Sequence, residues 1–200
     1  MLNKRSAPAA PGQLRIIGGQ WRSRRLPVAV VPGLRPTPDR VRETLFNWLQ
    51  FKVPGARCLD LFAGSGALGF EALSREAAQV VMVEKNRTAV QQLQANAATL
   101  RTERADIRNQ DALQVLAQLD SSARVPFDLI FLDPPFRQGW VQPMLERITA
   151  HGLLAQDGLI YLEYEAELQA ELGDFARWGL QVHRRTSAGQ VVSVLLQAGS

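Results

Sequence analysis

Short β-prone runs alternate with helical segments from Ala56 to the end of the chain, and this alternation restricts the possible folds more than any other feature. Successive β-to-α units predict a mostly parallel sheet with helices on both faces. The last two β-prone runs, residues 179–185 and 190–196, are joined by Ser187-Ala188-Gly189 and predict an antiparallel hairpin. We therefore expect an α/β, Rossmann-like fold with a seven-stranded sheet, a C-terminal antiparallel hairpin and a small N-terminal extension.

Composition divides the 200 residues into three parts. Residues 1–13 are Ala, Pro, Gly and polar residues and predict a disordered tail. Residues 14–54 predict a basic hairpin followed by a helix, and residues 55–200 carry the α/β pattern. We find neither an apolar run long enough to cross a bilayer nor an export signal, and the single cysteine excludes an internal disulfide. These features predict a cytoplasmic protein without membrane contact and without a metal site.

Charge is distributed unevenly between the N-terminal part and the remainder. Residues 1–42 contain nine basic residues and one acid, a net charge of +8, whereas residues 43–200 contain 14 basic and 18 acidic residues, a net charge of −4. A basic arm on a neutral-to-acidic body predicts a polyanionic partner such as nucleic acid. A solvated tail is the alternative interpretation.

Gly18-Gly19 separates two short β-prone pieces and predicts a tight hairpin turn. The hairpin would present its arginines to phosphates and Trp21 to a base, because guanidinium groups pair with phosphate and aromatic rings stack on bases. In the alternative interpretation, Trp21 packs against the body of the protein.

A helix is predicted after the hairpin, with Thr37 as its N-cap and Pro38 as its first residue. Its apolar residues recur with helical spacing on one stripe: Val41, Leu45, Trp48 and Leu49. Arg40 and Arg42 lie off this stripe, so we expect them to be free to reach a ligand or a phosphate.

Four acidic residues stand at the ends of four successive predicted strands: Asp60, Glu84, Asp111 and Asp133. In parallel sheets the carboxyl ends of the strands meet at one edge, where ligands bind. We therefore expect these four side chains to converge on one site. The alternative for each acid is a helix-capping or surface role.

Gly64, Gly66 and Gly69 follow the first strand of this pattern with the spacing Gly-x-Gly-x-x-Gly. This spacing alone would suit NAD as well as other nucleotides. However, the carboxylate of Asp60 beside the loop would repel a pyrophosphate, whereas it suits a cationic amino-acid group. S-adenosylmethionine fits this pattern, with its ammonium near Asp60, its ribose hydroxyls near Glu84 and its adenine amine near Asp111.

Asp133-Pro134-Pro135-Phe136 follows the apolar run of residues 127–132 and predicts a rigid elbow at the end of a strand. Two prolines stiffen the chain and lack N–H groups. A carboxylate, the Pro134 carbonyl and an aromatic ring then stand together, and this combination suits a planar amine such as the exocyclic amine of a base. An ordinary strand-ending turn is the alternative.

Several of these segments together resemble the RsmD-type small-subunit (16S) rRNA guanine-N2 methyltransferases. The resemblance rests on the glycine-loop segment 60–75, on Val83-Glu84-Lys85, on Gln110-Asp111-Ala112, on the elbow, and on residues 35–47 with Gly18-Gly19 upstream. It implies a class I fold of S-adenosylmethionine-dependent methyltransferases, with S-adenosylmethionine as the cofactor. It also implies 16S rRNA, in the small ribosomal subunit or an assembly intermediate, as the partner of a monomer.

The resemblance and the patterns above assign three sets of site residues. The catalytic set is the elbow, Asp133, Pro134, Pro135 and Phe136. The cofactor set is Asp60, Phe62, Ala63, Gly64, Ser65, Gly66, Glu84, Lys85, Asp111, Ala112 and Asp133. The RNA-binding set is Arg15, Trp21, Arg22, Arg24, Arg25, Arg35 and Arg40.

Three other functions stay open at this point. The nearest is methylation of adenine N6 in RNA or DNA, because related enzymes with a similar elbow act on that amine. The others are a nucleic-acid-binding module with a degenerate cofactor site and an NAD-dependent oxidoreductase. A cytosine-C5 methyltransferase is excluded because it needs a nucleophilic cysteine in its pocket, and Cys58 lies inside a predicted strand.

Overall fold

The computed structural model describes residues 12–34, 37–120 and 126–199. The strands are β1 Gln13–Arg15, β2 Arg25–Pro27, β3 Arg57–Asp60, β4 Gln79–Glu84, β5 Ala105–Asn109, β6 Phe127–Leu132, β7 Leu154–Glu165, β8 Leu180–Ala188 and β9 Val191–Ala198. The α-helices are α1 Asp39–Trp48, α2 Ala67–Ser74, α3 Arg87–Leu100, α4 Ala112–Asp120, α5 Val141–Ala150 and α6 Gln169–Leu172. In these described ranges, every helix is too short or too polar to span a membrane.

Seven strands form the main sheet in the order β5-β4-β3-β6-β7-β9-β8. The strands from β3 to β7 pair in parallel, and β9 runs antiparallel to both β7 and β8. The predicted α/β fold with a C-terminal antiparallel hairpin is therefore confirmed. The chain moves outward from β3 through β4 to β5 and then crosses to β6 on the other side of β3. Such a reversal of strand order opens a crevice at the carboxyl ends of the two central strands.

Two hydrophobic cores fill the two faces of the sheet. One contains side chains of α1, α2 and α3 together with the N-terminal hairpin, and the other contains those of α4 and α5. Leu14, Leu26 and Phe46 of the N-terminal part are buried in the same core as Phe70 and Phe131. The extension therefore packs on the sheet's own core, and a domain boundary at residues 54 and 55 stays a prediction.

The N-terminal hairpin is present, and the prediction of a tight Gly18-Gly19 turn is wrong. β1 and β2 pair antiparallel with Leu14 opposite Leu26, and a loop with a 3-10 turn at Gly19–Trp21 joins them. Gly19 has φ of 74°, and a Cβ there would lie 1.9 Å from the Ser74 carbonyl oxygen. Contact with the end of α2, rather than pairing across a turn, therefore sets the loop conformation. β1 begins at Gln13, inside the range predicted to be a disordered tail, and residues 1–11 of that tail lie outside the described residues.

Candidate active site

A cavity of about 690 Å³ opens at the carboxyl edge of the central strands. The structure brings most of the predicted catalytic and cofactor residues to its wall: Asp60, Phe62, Ala63, Gly64, Ser65, Glu84, Lys85, Asp111, Ala112, Asp133, Pro134, Pro135 and Phe136. Gly66 lies behind this wall, where α2 begins. It has φ of 79°, and a Cβ there would lie 2.5 Å from the Phe70 ring, so only glycine fits without displacement.

Asp60, the last residue of β3, lines the cavity and has one buried carboxylate oxygen without a partner among the described residues. The backbone N–H groups of Phe62 and Gly69 donate to its carboxylate, but Oδ2 is buried without a partner among the described residues. Burial, with a smaller contribution from the charge of Glu84, raises the pKa of Asp60 to about 7. A buried carboxylate oxygen without a donor is costly unless a ligand supplies one, so this position suits an ammonium group.

Glu84, at the end of β4, is fixed by the chain around it. Its Oε2 accepts a hydrogen bond of 3.0 Å from the Gly64 N–H, and its Oε1 accepts one of 2.7 Å from the Asn86 N–H. The glycine loop and the end of β4 are thereby joined. A carboxylate oxygen has more than one acceptor position, so Glu84 can also accept from hydroxyl groups in the cavity.

Asp111 combines the two roles that the sequence left open. Its Oδ1 accepts a hydrogen bond of 2.9 Å from the Leu113 N–H, which caps the start of α4. The same side chain lines the cavity. Capping therefore orients this carboxylate at the wall and does not remove it from the site.

Trp140 at the cavity wall was missed by the sequence analysis, which had assigned its neighbours Phe62 and Lys85 to the cofactor site. The rings of Phe62 and Trp140 meet edge to face at 5.8 Å, and the Lys85 ammonium lies 5.9 Å from the Trp140 ring centre. Trp140 directly precedes α5, and all three residues line the cavity. An aromatic residue shortly after the elbow was the available signal, although only the fold brings it against Phe62.

The elbow is held in place from both sides. Asp133 accepts a hydrogen bond from the Thr37 side chain, and the Arg137 N–H donates to the Glu165 carboxylate on β7. The helix α1 begins at Asp39 after Pro38 without a side-chain cap, so the prediction of Thr37 as the N-cap is wrong. Burial raises the pKa of Asp133 well above its usual range, and the nearby carboxyl groups of Glu163 and Asp60 raise it further.

Glu163 on β7 is an acid at the cavity wall that the sequence analysis missed. It lines the cavity and is 7% exposed, and the Tyr161 hydroxyl donates to its Oε1 at 2.5 Å. Burial raises the pKa of Glu163, and the hydrogen bond from Tyr161 opposes that rise. The buried carboxyl groups of Asp60 and Glu163 and the half-buried one of Asp133 therefore line one cavity.

The predicted RNA-binding residues that the structure describes lie outside the cavity wall and have different environments. Arg22, Arg24, Arg25 and Arg40 are exposed, and Arg35 lies outside the described residues. Arg15 donates to Asp39 at 2.7 Å, and this hydrogen bond raises the pKa of its guanidinium. Trp21 is partly buried against the core, as the alternative interpretation expected. The Arg104 guanidinium lies over its ring, 5.7 Å from the ring centre.

Arg42 does not reach a ligand, so this prediction is wrong. Its guanidinium is 1% exposed and donates to Asp39 at 2.5 Å, to the Arg15 carbonyl at 2.9 Å and to Glu71 at 3.3 Å. Glu71 is fully buried and also accepts from the Ile17 and Gly18 N–H groups at 2.8 Å each. This buried network ties α1 and the hairpin loop to α2.

Comparison with known proteins decides the family. The family model described as "Conserved hypothetical protein 95" matches residues 14–197. The chain is 48% identical over 194 residues to "Ribosomal RNA small subunit methyltransferase D" of Escherichia coli, which spans 97% of this chain and 94% of that protein. The chain belongs to the RsmD family. The RsmD relative of Haemophilus influenzae is 45% identical over 168 residues, which is 83% of this chain and 86% of that protein.

A solved structure agrees with this family assignment. The structure of yhhF from Escherichia coli superposes with a TM-score of 0.82 at 47% identity, covering 94% of this chain and 99% of that chain. This chain therefore has the Rossmann-like fold of the S-adenosylmethionine-dependent methyltransferases.

Proposed function

We propose that this protein transfers a methyl group from S-adenosylmethionine to the exocyclic N2 of a guanine in bacterial 16S ribosomal RNA. The name of the Escherichia coli relative supports a substrate in the RNA of the small ribosomal subunit. The observation that carries the proposal is the shared cavity, which is lined both by Asp60, with its buried and unpaired Oδ2, and by the acceptors of the elbow. One cavity thus combines a carboxylate that suits a cationic cofactor with hydrogen-bond acceptors that suit an amine.

The residues of the cavity fit S-adenosylmethionine, which supplies a methyl group on a cationic sulfur when bound. Asp60 Oδ2 would accept from its ammonium group, and Glu84 would accept from its ribose hydroxyls. Asp111 would accept from its adenine amine beside the aromatic wall of Phe62 and Trp140. A volume of about 690 Å³ lies within the range of small-molecule sites.

The pKa of Asp60 makes cofactor binding dependent on pH. Asp60 is neutral below its pKa of about 7 and ionised above it, and only the ionised form attracts the ammonium group strongly. We expect the affinity for S-adenosylmethionine, measured by calorimetry, to rise about 5- to 10-fold between pH 6 and pH 7.5. Asp60→Asn should bind more weakly and lose this dependence. An equally steep dependence in the Asn variant would contradict the role of Asp60.

The elbow would hold the guanine amine in the cavity. The target base has to leave its stack, at a cost of a few kcal/mol that is lower in single-stranded RNA. Phe136, which is 39% exposed, would stack on the base. Asp133 and the Pro134 carbonyl would accept hydrogen bonds from the two N2–H groups, which favours a pyramidal nitrogen whose lone pair is free to attack the methyl carbon. As the carbon–sulfur bond breaks and the nitrogen–carbon bond forms, the nitrogen becomes cationic, and it then loses one proton to Asp133 or to water. Alignment of that lone pair with the methyl group is expected to supply much of the rate.

The exposed arginines of the hairpin loop and β2 would bind the RNA backbone. Arg22, Arg24 and Arg25 lie close together in sequence and are exposed. Each phosphate contact releases counterions, so binding weakens with salt in proportion to the number of contacts. Location in the cytoplasm and a monomeric state stay predictions.

Neutralising the three arginines should change the salt dependence of RNA binding. We expect the triple variant Arg22→Gln, Arg24→Gln, Arg25→Gln to reduce the slope of log affinity against log salt by about 2 to 3. The matched control is Lys52→Gln, Arg101→Gln, Arg147→Gln, which removes equal charge from exposed positions elsewhere. Equal slopes in both variants would assign the three arginines a structural role.

Nucleoside analysis tests the proposed function against the nearest alternative. The protein is incubated with isotope-labelled S-adenosylmethionine and either naked 16S rRNA or small ribosomal subunits. The RNA is then digested to nucleosides and analysed by mass spectrometry. Label in N2-methylguanosine supports the proposal, whereas label in N6-methyladenosine would favour the adenine-N6 enzyme, whose amine the same elbow could hold.

A further inference from the structure

Glu163 stands beside the catalytic elbow on the neighbouring strand. β6 and β7 are parallel, with Phe131 opposite Tyr161 and Leu132 opposite Leu162. The next residues along the two strands are Asp133 and Glu163, and both line the cavity. Neighbouring strands are about 4.8 Å apart, so two carboxyl groups stand side by side at the same height of the sheet.

The position of the Glu163 carboxylate is fixed by a hydrogen bond from Tyr161. The Tyr161 hydroxyl donates to Oε1 at 2.5 Å, and Tyr161 is 1% exposed. Ser193, which lies opposite Glu163 on β9, hydrogen-bonds the same hydroxyl. Burial raises the pKa of Tyr161, so its hydroxyl stays a donor. One oxygen of Glu163 is thereby held, and the carboxylate retains acceptor positions for a ligand.

The edge of guanine matches a pair of neighbouring acceptors. In guanine the N2 amine is next to N1–H, so two donors stand side by side. In adenine the N6 amine is next to N1 without hydrogen, and a carboxylate facing that nitrogen would oppose an acceptor with an acceptor. The spacing of Asp133 and Glu163 thus suits the first base and disfavours the second.

We infer that Glu163 accepts the N1–H of the target guanine while Asp133 accepts N2–H, and that Glu163 thereby selects guanine over bases that lack a hydrogen on N1. This inference rests on the proposed function and adds a residue that determines specificity. Loss of one such base contact is expected to change discrimination about 10- to 100-fold.

The test compares two bases that share the 2-amino group. 2-Aminopurine keeps the amine that receives the methyl group but has no hydrogen on N1. The substrate is 16S rRNA into which an oligonucleotide with guanine or 2-aminopurine at the mapped position has been ligated. It is used as naked RNA or as assembled subunits, according to which of the two forms the wild type modifies. We expect Glu163→Gln to lower the ratio of kcat/KM for guanine to that for 2-aminopurine about 10- to 100-fold, because the glutamine amide can donate to a bare N1.

Two control variants separate this role from a structural one. Glu146→Gln removes an exposed carboxylate on α5 and should leave the ratio unchanged. Tyr161→Phe removes the hydrogen bond that positions Glu163 but keeps the carboxylate, so it should lower the ratio by less than Glu163→Gln does. Unfolding curves and cofactor calorimetry check that Glu163→Gln folds and binds cofactor. An unchanged ratio in Glu163→Gln would overturn the inference. A wild type that modifies adenine instead would overturn the proposed function itself.

Discussion

Asp133→Ala should lower the rate of methyl transfer about 100- to 1,000-fold, the range expected when one preorganised hydrogen-bonding group is lost from a reaction centre. The variant removes the carboxylate that accepts N2–H, while the Pro134 carbonyl and the Phe136 ring remain. Because the unpaired oxygen that suits the cofactor's ammonium belongs to Asp60, cofactor affinity should change little. Single-turnover transfer of labelled methyl measures the first effect, and calorimetry with S-adenosylmethionine measures the second.

A matched aspartate on the neighbouring strand serves as the control. Asp157 is exposed on β7 and does not line the cavity, so Asp157→Ala should keep the wild-type rate. Equal transfer rates in Asp133→Ala and the wild type would refute the catalytic role of the elbow. An equal loss of activity in the control would point to a general loss of structure.

Arg42→Leu should lower the free energy of unfolding by about 3 to 5 kcal/mol, the usual cost of removing one partner from a buried ion pair. The change leaves the fully buried Glu71 carboxylate without its guanidinium partner on α1, so that Arg75, at 2.8 Å, is its remaining cationic partner among the described residues. It also removes the donor to the Thr37 and Arg15 carbonyls. Urea unfolding measures the effect.

Arg40→Leu is the control for this prediction, because Arg40 is an exposed residue of the same helix. Surface substitutions usually change stability by less than about 0.5 kcal/mol. A loss below about 1 kcal/mol in Arg42→Leu would mean that the network of Arg42 and Glu71 contributes little to holding the N-terminal extension on the body.

The sheet and its acidic edge could be predicted because their signals are local. The central strands β3, β4 and β6 are short apolar runs ended by an acid or followed directly by one, and the parallel connections bring those ends together whatever the detailed packing. Asp60, Glu84, Asp111 and Asp133 therefore reach one cavity as expected. Their chemical roles remain predictions of the proposed function.

The residues that sequence reasoning missed depend on contacts between distant segments. Arg42 looks like a solvent-facing arginine until the buried Glu71, 29 positions away, is placed beside it. Glu163 lies in a β-prone run, and only the pairing of β6 with β7 brings it next to Asp133. The loop after β1 was mistaken for a tight turn because its conformation is set by close contact with α2, which requires a glycine at position 19.

A crystal structure of the protein with bound S-adenosylhomocysteine, the demethylated cofactor, tests the central claim most directly. We predict that its ammonium group lies about 3 Å from Asp60 Oδ2 and that its sulfur faces Asp133 and the Pro134 carbonyl across the cavity. A ligand bound outside this cavity, or bound inside it with the sulfur turned away from the elbow, would contradict the account.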